Sequence, residues 1–367
     1  MVIEARSIEP LPAPLPSAPE RGALSVVERG ARARWWRRHG SKHRGFWYED
    51  AKGKRITDAE QLERIRALVI PPAWRHVRVS PSARSRLQTV GVDTGGRTQY
   101  LYHPSYREKQ QRKKYDKIVR FGESLPALRR KTNEDINLEG FPRDRVLAIV
   151  VRFINDLYFR VGSETSVKHY RTYGVTTLRN RHLEIKRGGR LCFNFVGKHH
   201  IRHRVVCVDE ELAEIMADIK KIGGAKLFEY YDENGKVKAI RPRDVNEYIK
   251  AATSPEFSAK DFRTWGGTLQ AAIELAELGV AEDEKQAKKN IVKAVKHVAG
   301  HLGNTPAVCR DCYIHPRVIE SYMEGRTLEE FRRKVERSIK RIEPEYEAEE
   351  LALLKLLRAQ PNGTGKS

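Results

Sequence analysis

The sequence predicts an α+β fold, with a small, mostly β amino-terminal domain and a larger, mainly α domain that carries a three-stranded β excursion. Three observations predict it. Between Gly45 and about Tyr106, short alternating runs are separated by glycine turns. Beyond Tyr106, apolar residues recur at helical spacing through most of the chain. Within that helical part, YGVTTL, HLEIKR and RLCFNFV return to a period of two around Asn180 and Gly188-Gly189. A chain of 367 residues has room for two or three domains and a sizeable core. The expected boundaries are a disordered Pro/Ala-rich leader over 1–30, the β-rich domain over 31–106, the helical domain over 107–345 and a tail over 346–367.

The leader contains PLPAPLPSAP, which favours extended, unpacked backbone. RARWWRRHGSKHR (32–44) then interleaves cations with Trp35 and Trp36, a composition that suits phosphates and stacked bases and equally suits a basic tail. FWYED before AKGKRI reads as a hairpin around Lys52-Gly53, HVRVS as a strand, and VDTGGRTQYLYH as two strands joined at Gly95-Gly96. One helix, Asp58 to Leu68, interrupts them, capped by Thr57 or Asp58. Gln99 lies on the opposite face of its strand from Tyr100 and Tyr102, and a glutamine amide can pair bidentately with adenine. SYREKQQRKKYDK (105–117) is a basic run that either links the domains or closes over a polyanion.

In the helical part, Val146, Val150, Phe153 and Leu157 form one stripe on a helix capped by Asp144 and expected to run to Arg160 and stop at Gly162. Lys198 stands on the turn after the third strand of the β excursion. Helices are expected over 209–221 and 242–251. KDFRTWGGTLQAAIELAEL buries Phe262, Trp265, Leu269, Ala272 and Ala276, with Arg263 near its start. The next helix carries Ile291, Val295, Val298 and Leu302 and stops at Gly303. Thr305-Pro306 makes a corner beside Asn304, a short non-helical passage leads to Tyr313, and a helix begins near His315-Pro316. VIESYMEG and TLEEFRRKVERSIKRI read as exposed charged helices.

Charge narrows the function. The chain has 70 Lys+Arg against 48 Asp+Glu, a net +22, a pI near 9.9 and a mean hydropathy of -0.63. That excess points to a polyanion, with nucleic acid ahead of acidic membranes because no amphipathic basic anchor stands out. No apolar run reaches the ~18 residues of a membrane span, and the amino terminus lacks a secretory h-region. Cys192, Cys207, Cys309 and Cys312 suit a reducing compartment. Cys309 and Cys312 form C-x-x-C without the second ligand pair of a structural zinc site, so they read as free thiols beside Tyr313 and no metal is expected. PNGTGKS lacks the first glycine and following helix of a phosphate loop.

Arg160, Lys198, Arg263, Asn304 and Tyr313 together suit in-line attack on a phosphodiester. Two guanidiniums can neutralise non-bridging oxygens, increasingly so as charge develops. An ammonium can protonate a departing alkoxide, an amide can donate to a phosphate oxygen, and a phenol can attack phosphorus.

YFRVGSETSVKHYRTYGVTTL, FNFVGK, KDFRTWGGT and LGNTPAVCRDCYIHP, with VDTGGRTQYLYH, resemble in combination and order the type IB DNA topoisomerases of the compact, poxvirus-like bacterial branch. The likeness covers about Phe46 to Gly325. It implies Arg160 and Arg263 as phosphate clamps, Lys198 as general acid and Tyr313 as nucleophile, with Gln99, Tyr100, Tyr102, Lys168 and Arg171 as DNA contacts. Asn304 stands where the commoner family pattern has histidine, so its implied role is hydrogen bonding alone. The resemblance further implies a monomer closing as a clamp around duplex DNA, a nick-and-reseal cycle needing neither ATP nor metal, and a cytoplasmic, nucleoid-associated location. Two alternatives use much of the same pattern. A tyrosine recombinase usually carries H-x-x-R where this chain has Lys260-Asp261-Phe262-Arg263, and a non-catalytic DNA-binding protein would not need all five positions filled.

Overall fold

The computed structural model describes residues 1–10, 34–338 and 346–359. They divide into two compact units, one of residues 34–114 and the other of residues 1–10 with everything from Tyr115 onward. Among the described residues no helix is long and apolar enough to cross a membrane.

The chain opens with β1 (Val2–Pro10), which pairs antiparallel with a strand two hundred residues later, from Val2↔Val208 to Pro10↔Ile201. The expected disordered leader is therefore corrected over its first ten residues, and the rest of it, 11–30, lies outside the described residues. Local composition gave no sign of this strand because its hydrogen-bond partners are remote in sequence.

The small unit is a five-stranded antiparallel sheet in the order β3-β2-β4-β5-β6. Its strands are β2 (Trp36–Ser41), β3 (Gly45–Glu49), β4 (Arg75–Val79), β5 (Leu87–Val92) and β6 (Thr98–Tyr102). Helix α1 (Ala59–Ala67) is capped by Asp58, whose carboxylate accepts from Gln61 N. Ile65 packs with Val77 and Val79 and with Trp36, Tyr48 and Trp74. The first hairpin differs in its main partner: β3 pairs with β2, while the expected turn around Lys52-Gly53 is present as a short return, with a Glu49↔Arg55 bridge flanked by bonds from Asp50 N to Lys54 O and from Ile56 N to Tyr48 O, both at 2.8 Å. The described part of the basic 32–44 stretch is thus strand β2 with the turn after it, with Trp36 packed toward the core, while residues 32 and 33 lie outside the described residues.

The basic run 105–117 is the first half of α2 (Pro104–Ile136). From Tyr115 onward this helix belongs to the large unit, whose core also takes α3 (Arg143–Leu157). Helix α3 stops earlier than expected, at Tyr158 in the left-handed region (φ 55), so Arg160 sits in the extended segment beyond it. After α4 (Glu164–Tyr170), YGVTTL forms a tight 3-10 turn over Val175–Thr177 and not a strand. The turn's backbone is used on the Arg160 segment: Val175 N donates to Arg160 O at 2.8 Å and Thr176 N to Val161 O at 2.9 Å. Close approach of Gly162 and Gly174 makes this possible, since a Cβ on Gly174 would lie 2.4 Å from Arg160 O.

The β excursion is consequently β7 (Leu183–Lys186), β8 (Arg190–Gly197) and β9 (Ile201–Val208), joined by β1 into one antiparallel sheet in the order β1-β9-β8-β7. Next come α5 (Glu210–Lys221), the short pair β10 (Glu229–Tyr231) and β11 (Val237–Ala239), and α6 (Pro242–Ala252). Helix α7 (Ala259–Glu277) lies at the centre of the unit, with Phe262, Trp265, Leu269 and Ala272 of the predicted stripe buried and Ala276, at the helix end, only half-buried. Helix α8 (Glu284–Leu302) ends at Gly303, whose φ of 61 is the left-handed cap expected of glycine.

Two further expectations are corrected. The passage before Tyr313 is helical, α9 (Pro306–Cys312), capped by Thr305 with Pro306 at its first position. The helices after it, α10 (Pro316–Met323) and α11 (Leu328–Ser338), are not merely exposed: Val318, Tyr322, Leu328 and Phe331 are buried. The expected tail holds α12 (Ala348–Arg358), which buries Leu353, Leu354 and Leu356 and brings Glu350 to the core. There Arg129 donates to both Glu350 oxygens, at 2.6 and 2.8 Å, and Trp265 Nε1 donates to one of them at 3.2 Å. Residues 339–345 and 360–367 lie outside the described residues.

Candidate active site

Four of the five sequence-predicted residues meet at the ends of α3 and α8. Arg160 Nη2 donates to Asn304 Oδ1 at 2.6 Å and to Gly303 O at 3.3 Å. Arg263, only 4% exposed in the second turn of α7, donates from Nη1 to Tyr158 O and from Nη2 to Leu302 O, both at 2.6 Å. Its guanidinium carbon lies 5.2 Å from the centroid of the Tyr313 ring. Arg263 also makes a side-chain hydrogen bond with Tyr313, and its Nε is buried with no partner, so the guanidinium keeps a donor while its plane is held.

The carbonyls it holds are helix-end groups that have no donor within their own helix. A single buried arginine therefore fixes the spacing of three segments: the one leading to Arg160, the one leading to Asn304, and the Tyr313 ring beneath it.

Tyr313 is the residue that closes α9, with φ -129 and ψ -10. Its backbone is gripped from three sides. Tyr115 OH donates to Asp311 O at 3.2 Å and to Ile314 O at 2.8 Å. Thr268 Oγ1 lies 3.2 Å from Tyr313 O and accepts from His315 N at 3.1 Å. Gly267 supplies the room, because a Cβ there would come within 2.8 Å of Tyr313 O. Its neighbour Gly266 does the same for Tyr158, whose ring would be 2.1 Å from an added Cβ. Gly266, Gly267, Thr268 and Tyr115 were not singled out in the sequence. The available signal was two adjacent glycines inside a helix, each of which costs about 1 kcal/mol relative to alanine and so asks for a packing reason.

Lys198 is exposed on the turn 198–200 between β8 and β9, where His199 and His200 take positive φ (65 and 57). The turn is anchored by His200 Nε2, 2.9 Å from Tyr170 O. A narrow cleft lined by Tyr158, Arg160, Gly197, Lys198, His203, Arg263 and His301 joins the lysine to the two arginines. Lys168 and Arg171, also exposed, lie in and just after α4, the helix to which this turn is anchored.

Electrostatically the cleft carries uncompensated positive charge. Among the described residues neither Arg160 nor Arg263 pairs with a carboxylate, and their partners are carbonyls, one amide and, for Arg263, the Tyr313 phenol. Burial, followed by repulsion from Arg263, lowers the Arg160 pKa to about 10. Burial also lowers Arg263. His203 is driven down to about 3 by burial and then by Arg160, Arg6 and Arg263. Such a site gains from an entering anion, which repays part of the cost of burying unpaired guanidiniums. Cys309, beneath the arginines, is buried and its thiol is raised to about 11 by burial, whereas Cys312 is exposed. Among the described residues no group of His, Cys, Asp or Glu could hold a metal ion.

The remaining predicted contacts lie in the small unit. Tyr100 and Tyr102, 39% and 38% exposed, stack along β6 with centroids 6.3 Å apart, and the row continues to Tyr106 at 5.3 Å. Gln99 points to the other face, and its Nε2 donates to Asp93 Oδ2 at 2.8 Å. Its amide is therefore already oriented and partly occupied.

Residues 103–342 match the family model described as eukaryotic DNA topoisomerase I, catalytic core, and residues 45–93 match that of the bacterial DNA topoisomerase IB N-terminal domain. The chain is 31% identical to DNA topoisomerase 1B of Acanthamoeba polyphaga mimivirus over 287 residues, covering 76% of this chain and 84% of that one. It is 24% identical to DNA topoisomerase 1B of Vaccinia virus (strain Copenhagen) over 240 residues, 65% of this chain and 73% of the relative. With DNA topoisomerase 1 of Mycosarcoma maydis it shares 22% identity over 63% of its own length and 24% of the larger protein. With both parts of the chain matched, the protein belongs to the type IB DNA topoisomerase family.

Proposed function

We propose that this type IB topoisomerase relaxes positive and negative supercoils through a 3′-phosphotyrosyl intermediate on Tyr313. The Tyr313 phenol oxygen bonds to the scissile phosphorus as the bond from phosphorus to the 5′ oxygen breaks. Lys198 supplies the proton to that oxygen, and the phenol proton leaves to solvent. Arg160 and Arg263 take the two non-bridging oxygens, and Asn304 donates from Nδ2. Religation is the same exchange run backwards. One phosphodiester replaces another, so the cycle conserves bond energy and calls for neither ATP nor metal.

The observation that supports this most is the Arg160–Asn304–Arg263–Tyr313 cluster, brought together by four helices, α3, α7, α8 and α9, and lacking a carboxylate partner for either arginine among the described residues. Gln99, Tyr100, Tyr102, Lys168 and Arg171 serve as DNA contacts in this reading. The protein acts as a monomer whose two units close around duplex DNA, in the cytoplasm at the nucleoid. Relaxation of plasmids of both supercoil signs in EDTA without ATP tests it, comparing the native protein with Tyr313→Phe. Loss of relaxation and of covalent attachment in the variant, with DNA binding kept, is expected. A Tyr313→Phe protein that still relaxes DNA would remove Tyr313 as the nucleophile.

A further inference from the structure

We infer that Arg6, in β1, is a positioning residue for the transesterification, stapling from outside the cleft the two segments that carry Arg160 and Asn304. The inference rests on the proposed roles of those two residues.

Arg6 Nη2 donates to Leu157 O at 2.5 Å and Nη1 to His301 O at 2.6 Å. Leu157 is the last residue of α3, and His301 lies in the last turn of α8. Arg263 makes the matching pair of bonds one residue further along each segment, to Tyr158 O and Leu302 O. Two guanidinium forks thus cross-link consecutive carbonyls of the same two helix ends, one from α7 and one from the amino-terminal strand. Beyond the second staple, each segment has only two residues to go before its functional side chain: Arg160 after Tyr158, Asn304 after Leu302.

The geometry asks for arginine. The planar fork presents two parallel N–H directions to two oxygens at once, which an ammonium cannot do. Strand β1 holds the fork in place through its ladder with β9, where Arg6 is paired with Val205 and Ser7 with Arg204. Among the described residues no carboxylate pairs with Arg6, so it also adds positive potential beside Arg263. Losing it frees the relative spacing of Arg160 and Asn304 while leaving both in the chain. A displacement on the order of 1 Å in a reacting group costs roughly 100-fold.

The test compares single-turnover cleavage by native protein, Arg6→Ala and Arg160→Ala on two duplexes. One has an ordinary scissile phosphodiester, and the other an uncharged methylphosphonate at that position, which asks less of a cationic clamp. Arg6→Ala is expected to slow cleavage of the phosphodiester roughly 10- to 100-fold with DNA affinity kept within about twofold. On the methylphosphonate the loss should shrink to under about threefold, in parallel with Arg160→Ala. An equal loss on both duplexes would mean general loosening of the fold and would overturn the inference. If Arg160→Ala is itself not relieved by the uncharged substrate, the clamp role of Arg160 falls and the inference falls with it, a result read from that variant alone. Arg6→Lys keeps the charge without the fork and should recover little of the rate, so full recovery by lysine would also overturn the proposal. Should Arg6→Ala not fold, Arg6→Lys and Arg6→Gln carry the same two-duplex comparison.

Discussion

Arg160 and Asn304, 144 residues apart in sequence, meet through a 2.6 Å hydrogen bond from the guanidinium to the amide oxygen. The bond decides which end of the amide is available. Oδ1 is taken by the arginine, and Nδ2, buried with no acceptor in bonding geometry, is left to donate to an incoming phosphate oxygen. The Cys309 thiol is the polar group near it.

Asn304→Ala is expected to slow cleavage roughly 100-fold, the usual cost of removing one donor to a developing oxyanion. Asn304→Asp should be worse, because a carboxylate would pair with Arg160 and oppose the phosphate. Rates under single turnover at saturating protein check both. An aspartate variant faster than the alanine variant would contradict the assignment of Nδ2 as donor.

Lys198→Ala should slow cleavage of ordinary DNA and recover on a substrate whose 5′ bridging oxygen is replaced by sulfur, a leaving group that needs no proton. Arg263→Ala should recover little on the same substrate. If Lys198→Ala is equally slow on both, the lysine is not the general acid.

Gly267→Ala places a methyl within 2.8 Å of Tyr313 O and 3.1 Å of its Cβ. The expected result is a roughly 100-fold slower cleavage step from displacement of the nucleophile, with DNA binding nearly intact. Measuring affinity and cleavage rate on the same oligonucleotide separates the two, and a variant as fast as the native protein would show that the α7–α9 contact can relax without moving the phenol.

Acidification should destabilise the protein through histidines held neutral. Burial, and after it nearby arginines, lowers His182 to about 4 and His203 to about 3. His182 Nδ1 also accepts from Arg179 N at 3.0 Å and cannot do so once protonated. Both titrate near ~6.5 in the unfolded chain, which then binds more protons than the folded one, so their stabilisation is present above that pH and is lost as pH falls toward the folded values. Each contributes a slope of about 1.4 kcal/mol per pH unit across that window. His182→Gln should flatten the pH dependence of the denaturation midpoint between about pH 6 and 4. An unchanged slope would show that His182 is not the group responsible.

Much of this centre was legible in the sequence because its residues sit where local signals are strong. Gly303 and Thr305-Pro306 bracket Asn304 with a helix stop and a helix start, and Arg263 rides beside the stripe of Phe262, Trp265 and Leu269. What was not legible depends on remote contacts. Val175, Thr176 and Thr177 are β-branched or strand-like and yet form a turn, because their backbone groups are drawn to Arg160 and Val161. Strand β1 precedes a Pro/Ala tract and finds its partner at 201–208, so neither it nor Arg6 could be read locally. The segment that forms α12 was read as tail, because its docking through Glu350 onto Arg129 and Trp265 depends on residues far away in the chain.

Strand β1 also bears on how this protein can be dissected. A fragment begun at Tyr115 would contain every proposed catalytic side chain, and by that inventory it should be active. It would also leave β9 as an outer strand, with those backbone donors and acceptors along its eight residues that had faced β1 now bared, the others staying paired with β8. Exposed edges of that kind recruit other chains. Self-association of the fragment, relieved by supplying residues 1–10 as a separate peptide, is the behaviour the sheet order dictates.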